Sequence, residues 1–239
     1  QYVVTGHYAQ IRRSPETGRY LLYKAADRAK DQTYFLYCLT QDMLEHTLFP
    51  LGSLTKPQVR AIAAEHGFVT ARKHDSQDIC FVPDRDYTAF LTRYTGKTYP
   101  EGDYLNLDGQ VVGRHKGAVR YTIGQRKGLN LALGSPVYVC GKDMAANTVT
   151  VGPNSALFSK GLRAEDWNWF PFPELTEAMD VTVKVRHSQF EQPARVIPEE
   201  NGRARVEFIE PIRAVTPGQA VVLYQGDMVL GGGTITEAL

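Results

Sequence analysis

In the last third of the chain, apolar and polar residues alternate with a period of two. Val181, Val183 and Val185 face one way, and Thr182, Lys184 and Arg186 face the other. This pattern fits a strand with one buried face and does not fit a helix, whose faces repeat every 3.6 residues. Ala204–Ile209 and Ala220–Tyr224 also read as strands, and Pro217-Gly218 has turn chemistry. Short, evenly spaced strands with such turns need a partner for each edge. Residues 161–239 are therefore expected to form an all-β domain, a small barrel or a sandwich.

The preceding residues read differently. Residues 1–82 are mixed α/β. Tyr2–Thr5 is a short strand ending at Gly6, and Arg13–Arg19 is a hairpin turn leading into the strand Tyr20–Tyr23. Asp31 is placed to cap a helix running through Phe35, Leu36 and Leu39. Thr55 and Gln58 have capping-box spacing with Pro57 in the first turn, so a second helix runs to Gly67. Ile79–Val82 reads as a strand. Residues 83–160 are expected to be a small separate unit: a helix from Pro83-Asp84 to Gly96, then short strands, with Val137–Cys140 and Thr148–Val151 bracketing a turn at Asn147.

Composition narrows the function classes. With 43% hydrophobic and 22% charged residues the chain can build a core, and its net charge of +1 does not mark it as a nucleic-acid binder. Local charge says more. No acidic residue lies between Asp108 and Asp143, while Arg114, Lys116, Arg120, Arg126, Lys127 and Lys142 do. Such a stretch is either a source of phosphate contacts or a solvated loop face. Three widely spaced cysteines, Cys38, Cys80 and Cys140, argue against a disulfide scaffold and for a cytoplasmic location. They form no spacing that suggests a metal site, and no apolar run nears the roughly 18 residues that would call for a membrane span.

Cys80, in Asp75-Ser76-Gln77-Asp78-Ile79-Cys80-Phe81-Val82, is the candidate nucleophile. A sulfur carrier needs a reachable thiolate, and a strand end leading into a turn would expose one; a buried structural cysteine is the alternative. Thr5-Gly6-His7-Tyr8-Ala9 and Lys30-Asp31-Gln32-Thr33-Tyr34-Phe35-Leu36 accompany it, as do Leu48–Gly52, Gly124–Leu129 and Leu230–Gly233. In this order and spread over nearly the whole chain, these motifs resemble the tRNA-specific 2-thiouridylase family.

The resemblance implies an α/β remnant of an ATP pyrophosphatase-type (PP-loop) domain, a small mixed α+β central domain and a C-terminal all-β barrel. It implies that Cys80 is catalytic and holds a persulfide delivered by a sulfur-carrier protein or a cysteine desulfurase relay. The terminal sulfur would attack C2 of the wobble uridine after ATP, with magnesium, has adenylated its oxygen. Gly6 would lie by the nucleotide. His7, Lys30, Asp31, Gln32, Arg186, His187 and Gln219 would meet tRNA. The family's phosphate loop and first catalytic cysteine are not among these 239 residues. The expectation is thus a C-terminal portion that does not thiolate tRNA alone. Two other readings stand beside this one: an RNA-binding module with a structural Cys80, and a related ATP pyrophosphatase acting on a small molecule.

Overall fold

The computed structural model describes residues 1–72, 82 and 86–239. They fall into two compact units: one takes the described residues of 1–73, 160–212 and 216–239, the other those of 74–159 and 213–215.

The first unit begins with β1 (Val3–Val4), which pairs in parallel with β4 (Thr47–Leu48). Between them, β2 (Ala9–Arg13) and β3 (Tyr20–Lys24) form the expected hairpin, closed by a hydrogen bond from the Ser14 amide to the Arg19 carbonyl. The helix expected from Asp31 through Leu39 is instead two short ones, α1 (Thr33–Leu36) and α2 (Gln41–Glu45). The Thr40 hydroxyl accepts from the Met43 amide and starts α2 afresh, which breaks the run. α3 (Lys56–Glu65) forms as expected, with the Gln58 side chain accepting from the Thr55 amide.

The second unit opens with α4 (Tyr87–Thr95). The Asp86 carboxylate caps it by accepting from the Thr88 and Ala89 amides, so the helix starts later than Pro83-Asp84 suggests. β5 (Gly102–Leu105), β6 (Val111–His115), β7 (Tyr138–Asp143) and β8 (Thr148–Gly152) make a four-stranded sheet in the order β6-β5-β8-β7, with β5 and β8 parallel. Its core packs Tyr104, Ala118, Tyr121, Leu129, Val139, Val149 and Val151 together.

The chain then returns to the first unit. β9 (Phe158–Trp169), β10 (Met179–Lys184), β11 (Gln192–Pro198), β12 (Ala204–Arg213), β13 (Ala220–Gln225) and β14 (Met228–Ala238) run in the order β13-β10-β11-β12-β9-β14, and β14 pairs again with β13. The six strands thus close into a barrel, which decides between barrel and sandwich. β3 joins the outside of β14 at Tyr23 and Met228 and brings β2 with it.

β13 is apolar on both faces for this reason. Val222 and Tyr224 pack outward against Ala9, Leu22, Tyr34, Leu36 and Leu44 of the N-terminal segment, and Val221 and Leu223 point the other way and are equally buried. Gly52 is pressed so closely on the Ala9 backbone that a side chain there would clash with its carbonyl.

Candidate nucleic-acid interface

The segment before α1 is tied down by its own side chains. Asp31 Oδ1 accepts from the Ala25 amide at 2.8 Å, and Oδ2 accepts from the Thr33 amide and the Thr33 hydroxyl at 3.3 and 2.5 Å. Both carboxylate oxygens are therefore engaged within the fold. Gln32 pairs with Tyr8 at two points: its side-chain oxygen accepts from the Tyr8 amide at 2.9 Å, and its own amide donates to the Tyr8 carbonyl at 3.0 Å. This fixes the loop beside His7, whose Nδ1 lies 2.9 Å from the Thr5 hydroxyl. Gly6, one residue earlier, is exposed.

Amides at a helix start attract phosphate only where they are unpaired. α1 is a single turn, and the amides of Gln32, Thr33, Phe35 and Leu36 already donate to Tyr8, Asp31 and Gln32.

The barrel supplies the other side of the site. Tyr34 is buried, and its hydroxyl donates to the Ala220 carbonyl at 2.9 Å, which pins α1 next to exposed Gln219. Burial pushes the Tyr34 phenol up to about 12. Arg186 Nη2 donates to the Thr216 hydroxyl at 2.7 Å, in the turn that precedes Gln219. The sequence pattern put Arg186 on a strand face, but β10 stops at Lys184, and a hydrogen bond from the Gln189 amide to the Arg186 carbonyl turns the chain. The exposed His187 ring lies 4.4 Å from that of Phe35 and 6.0 Å from that of Tyr34. Partial burial, then the charge of Lys184, lowers the His187 pKa, against a hydrogen bond to the Asp31 backbone that raises it.

Lys30, Asp31, Gln32, Arg186, His187 and Gln219 thus gather around α1, from three separate stretches of sequence. His7 is linked to them through Tyr8 and Gln32. Cys80 lies outside the described residues.

Sequence reasoning gave no role to Phe35, which it placed only within a helix and which is 53% exposed, or to Lys184. The signal available for Phe35 was its position between two residues that face inward, Tyr34 and Leu36. In the second unit, two of the six cations of the acid-free stretch are used internally: Arg114 pairs with Asp103 at 2.8 Å, and Lys142 donates to the Tyr121 carbonyl. Lys116, Arg120, Arg126 and Lys127 are exposed.

Three family models match end to end: the tRNA methyl transferase HUP domain over 1–84, the tRNA methyl transferase PRC-barrel domain over 88–153, and the aminomethyltransferase β-barrel domain over 159–235. Their order follows that of the α/β segment, the four-stranded unit and the closed barrel. Among curated relatives, a tRNA-specific 2-thiouridylase of Carboxydothermus hydrogenoformans is 48% identical over all of this chain and 65% of its own length. Those of Geotalea uraniireducens and Symbiobacterium thermophilum are 50% and 51% identical over 99% and 100% of this chain. The chain belongs to the tRNA-specific 2-thiouridylase family. It spans just under two thirds of the length of these family members: 65%, 63% and 61%. No helix among the described residues is long and apolar enough to cross a membrane.

Proposed function

We propose that this chain is the tRNA-holding and sulfur-carrying part of an enzyme that replaces O2 of the wobble uridine with sulfur. Its sequence is organised in segments 1–82, 83–160 and 161–239. The observation that carries the reading is the gathering of Lys30, Gln32, Arg186, His187 and Gln219 around α1, held in place by Asp31 and Tyr34. These polar groups suit an RNA backbone, and the relatives' names supply the substrate class, tRNA.

Cys80 holds the transferable sulfur as a persulfide, received from a sulfur-carrier protein or a cysteine desulfurase relay in the cytoplasm. The terminal sulfur bonds to C2 of the uridine as the C2–O bond breaks and the activated oxygen leaves, and a second thiol then cleaves the S–S bond, leaving the sulfur on C2 and a disulfide between that thiol and Cys80. ATP supplies activation of the leaving oxygen. Gly6 is the one described residue proposed to face the nucleotide, and no described group of three or more His, Cys, Asp and Glu side chains is placed to hold magnesium.

The test is Cys80→Ser in the whole protein. An oxygen holds no persulfide, so thiolation with a protein sulfur donor should fall below detection while the tRNA dissociation constant stays unchanged. Cys38→Ser and Cys140→Ser should retain activity. Cys38 is exposed and its thiol donates to the Phe35 carbonyl, and burial raises the Cys140 thiol, which keeps it protonated. Near-normal turnover by the Cys80→Ser protein refutes the assignment.

A further inference from the structure

We infer that Phe35 and His187 together form a stacking platform for one unpaired base of the bound RNA, an inference that rests on the tRNA reading above. α1 buries Tyr34 and Leu36 but leaves the Phe35 side chain 53% exposed. The ring does not collapse inward because Tyr34 occupies the space beneath. Tyr34 meets Phe35 edge-on, with ring centroids 5.6 Å apart, and is itself anchored to the Ala220 carbonyl. The His187 ring lies 4.4 Å from the Phe35 ring with 30° between their planes and 6.0 Å from the Tyr34 ring. Two solvent-facing rings are thus fixed in position before any ligand arrives, and each carries a π face.

The surroundings favour a nucleic acid over an apolar protein surface. Lys184 Nζ lies 5.9 Å from the centre of the Tyr34 ring, and Arg186 precedes His187. The nearest carboxylates are already occupied: Asp31 by the Ala25 amide and by Thr33, and Glu191 by Lys24 at 2.6 Å and by the Thr182 hydroxyl. Positive charge beside exposed rings matches the recognition of single-stranded RNA, where splayed bases stack on aromatic side chains while phosphates meet cations.

The experiment measures equilibrium binding of cognate tRNA to the whole protein at several salt concentrations, for wild type, F35L and F35W. Leucine keeps the apolar volume and removes the π face. Loss of one stacked base should weaken binding about 5- to 150-fold. The slope of log affinity against log salt should not change, because no phosphate contact is lost. F35W should bind as tightly as wild type, and its indole emission should be quenched by tRNA beyond the signal of Trp167 and Trp169. The inference is overturned if F35L binds like wild type, or if F35W emission ignores tRNA. It is also overturned if F35L keeps its tRNA affinity but turns over slowly with a protein sulfur donor, since the ring pair would then serve a protein partner. A wild-type protein that binds no tRNA would instead sink the tRNA reading itself, so that arm is measured first.

Discussion

Asp31 is a residue whose chemistry is used up by its own fold. Its two oxygens accept from the Ala25 amide, the Thr33 amide and the Thr33 hydroxyl, so it shapes the loop that carries Lys30 and Gln32. Thr33 is fully buried, and its hydroxyl lies 3.5 Å from that of Tyr224 in the barrel. Asp31→Ala leaves two amides and a hydroxyl without their acceptor. Each partly buried donor left unpaired costs about 1–3 kcal/mol. Chemical denaturation should therefore show a stability loss of at least that order for Asp31→Ala, and a smaller one for Asp31→Asn, which keeps one acceptor. An Asp31→Ala protein with wild-type stability and weakened tRNA binding would mean that the carboxylate acts on the RNA and not on the loop.

At the scale of elements, β14 shows how packing overrules local preference. Gly231-Gly232-Gly233 weakens any strand expectation, since glycine has no side chain to pack and loses most entropy on ordering. The run is nevertheless mid-strand, between β13 and β9. A Cβ on Gly232 would run into the Tyr37 ring and close on the Val221 carbonyl. The missing side chain is what lets the segment after α1 lie against the barrel. Overpacking such a site costs about 1–3 kcal/mol. Gly232→Ala should lower the unfolding temperature, and a second change, Tyr37→Ala, should recover part of the loss. A Gly232→Ala protein as stable as its parent would show that Tyr37 yields freely.

At the scale of the whole molecule, the two units need not respond alike to pH. In the second unit, His115 is buried, its Nδ1 accepts from the Gly117 amide at 3.0 Å, and Tyr104 and Tyr121 meet it edge-on. Burial holds its pKa below the ordinary 6.5, with Arg114 lowering it further and Asp103 opposing. The unfolded chain therefore takes the proton more readily. The stability due to neutral His115 is fully present above the ordinary value and is lost as pH falls below it, toward the folded value. Amide protection across β5–β8 should drop as pH is lowered from 7 to 5, and this drop should shrink in His115→Phe. If protection is flat over that range, or equally steep in the variant, His115 is not its source.

Much of the local chemistry was legible from residue order. The hairpin before Tyr20, the capped α3, the β7–β8 pair and the barrel strand β10 follow from turn residues, caps and period-two alternation, which act within a few residues. β11 was hidden by Pro193 and Pro198 and β14 by its glycines, because what holds each in place is the closed ring of neighbours and not its own propensity. The candidate residues were named by their resemblance to a family, but that they meet around one short helix was not in the pattern. That meeting depends on Tyr34 reaching Ala220, Gln32 reaching Tyr8 and Arg186 reaching Thr216. Sequence by itself determined which segments could be strands and which residues could carry charge or sulfur. Only the tertiary structure decided that the sheet closes, that the N-terminal hairpin covers the outside of β13, and that Phe35 stays in solvent, because each depends on contacts between residues far apart in the chain.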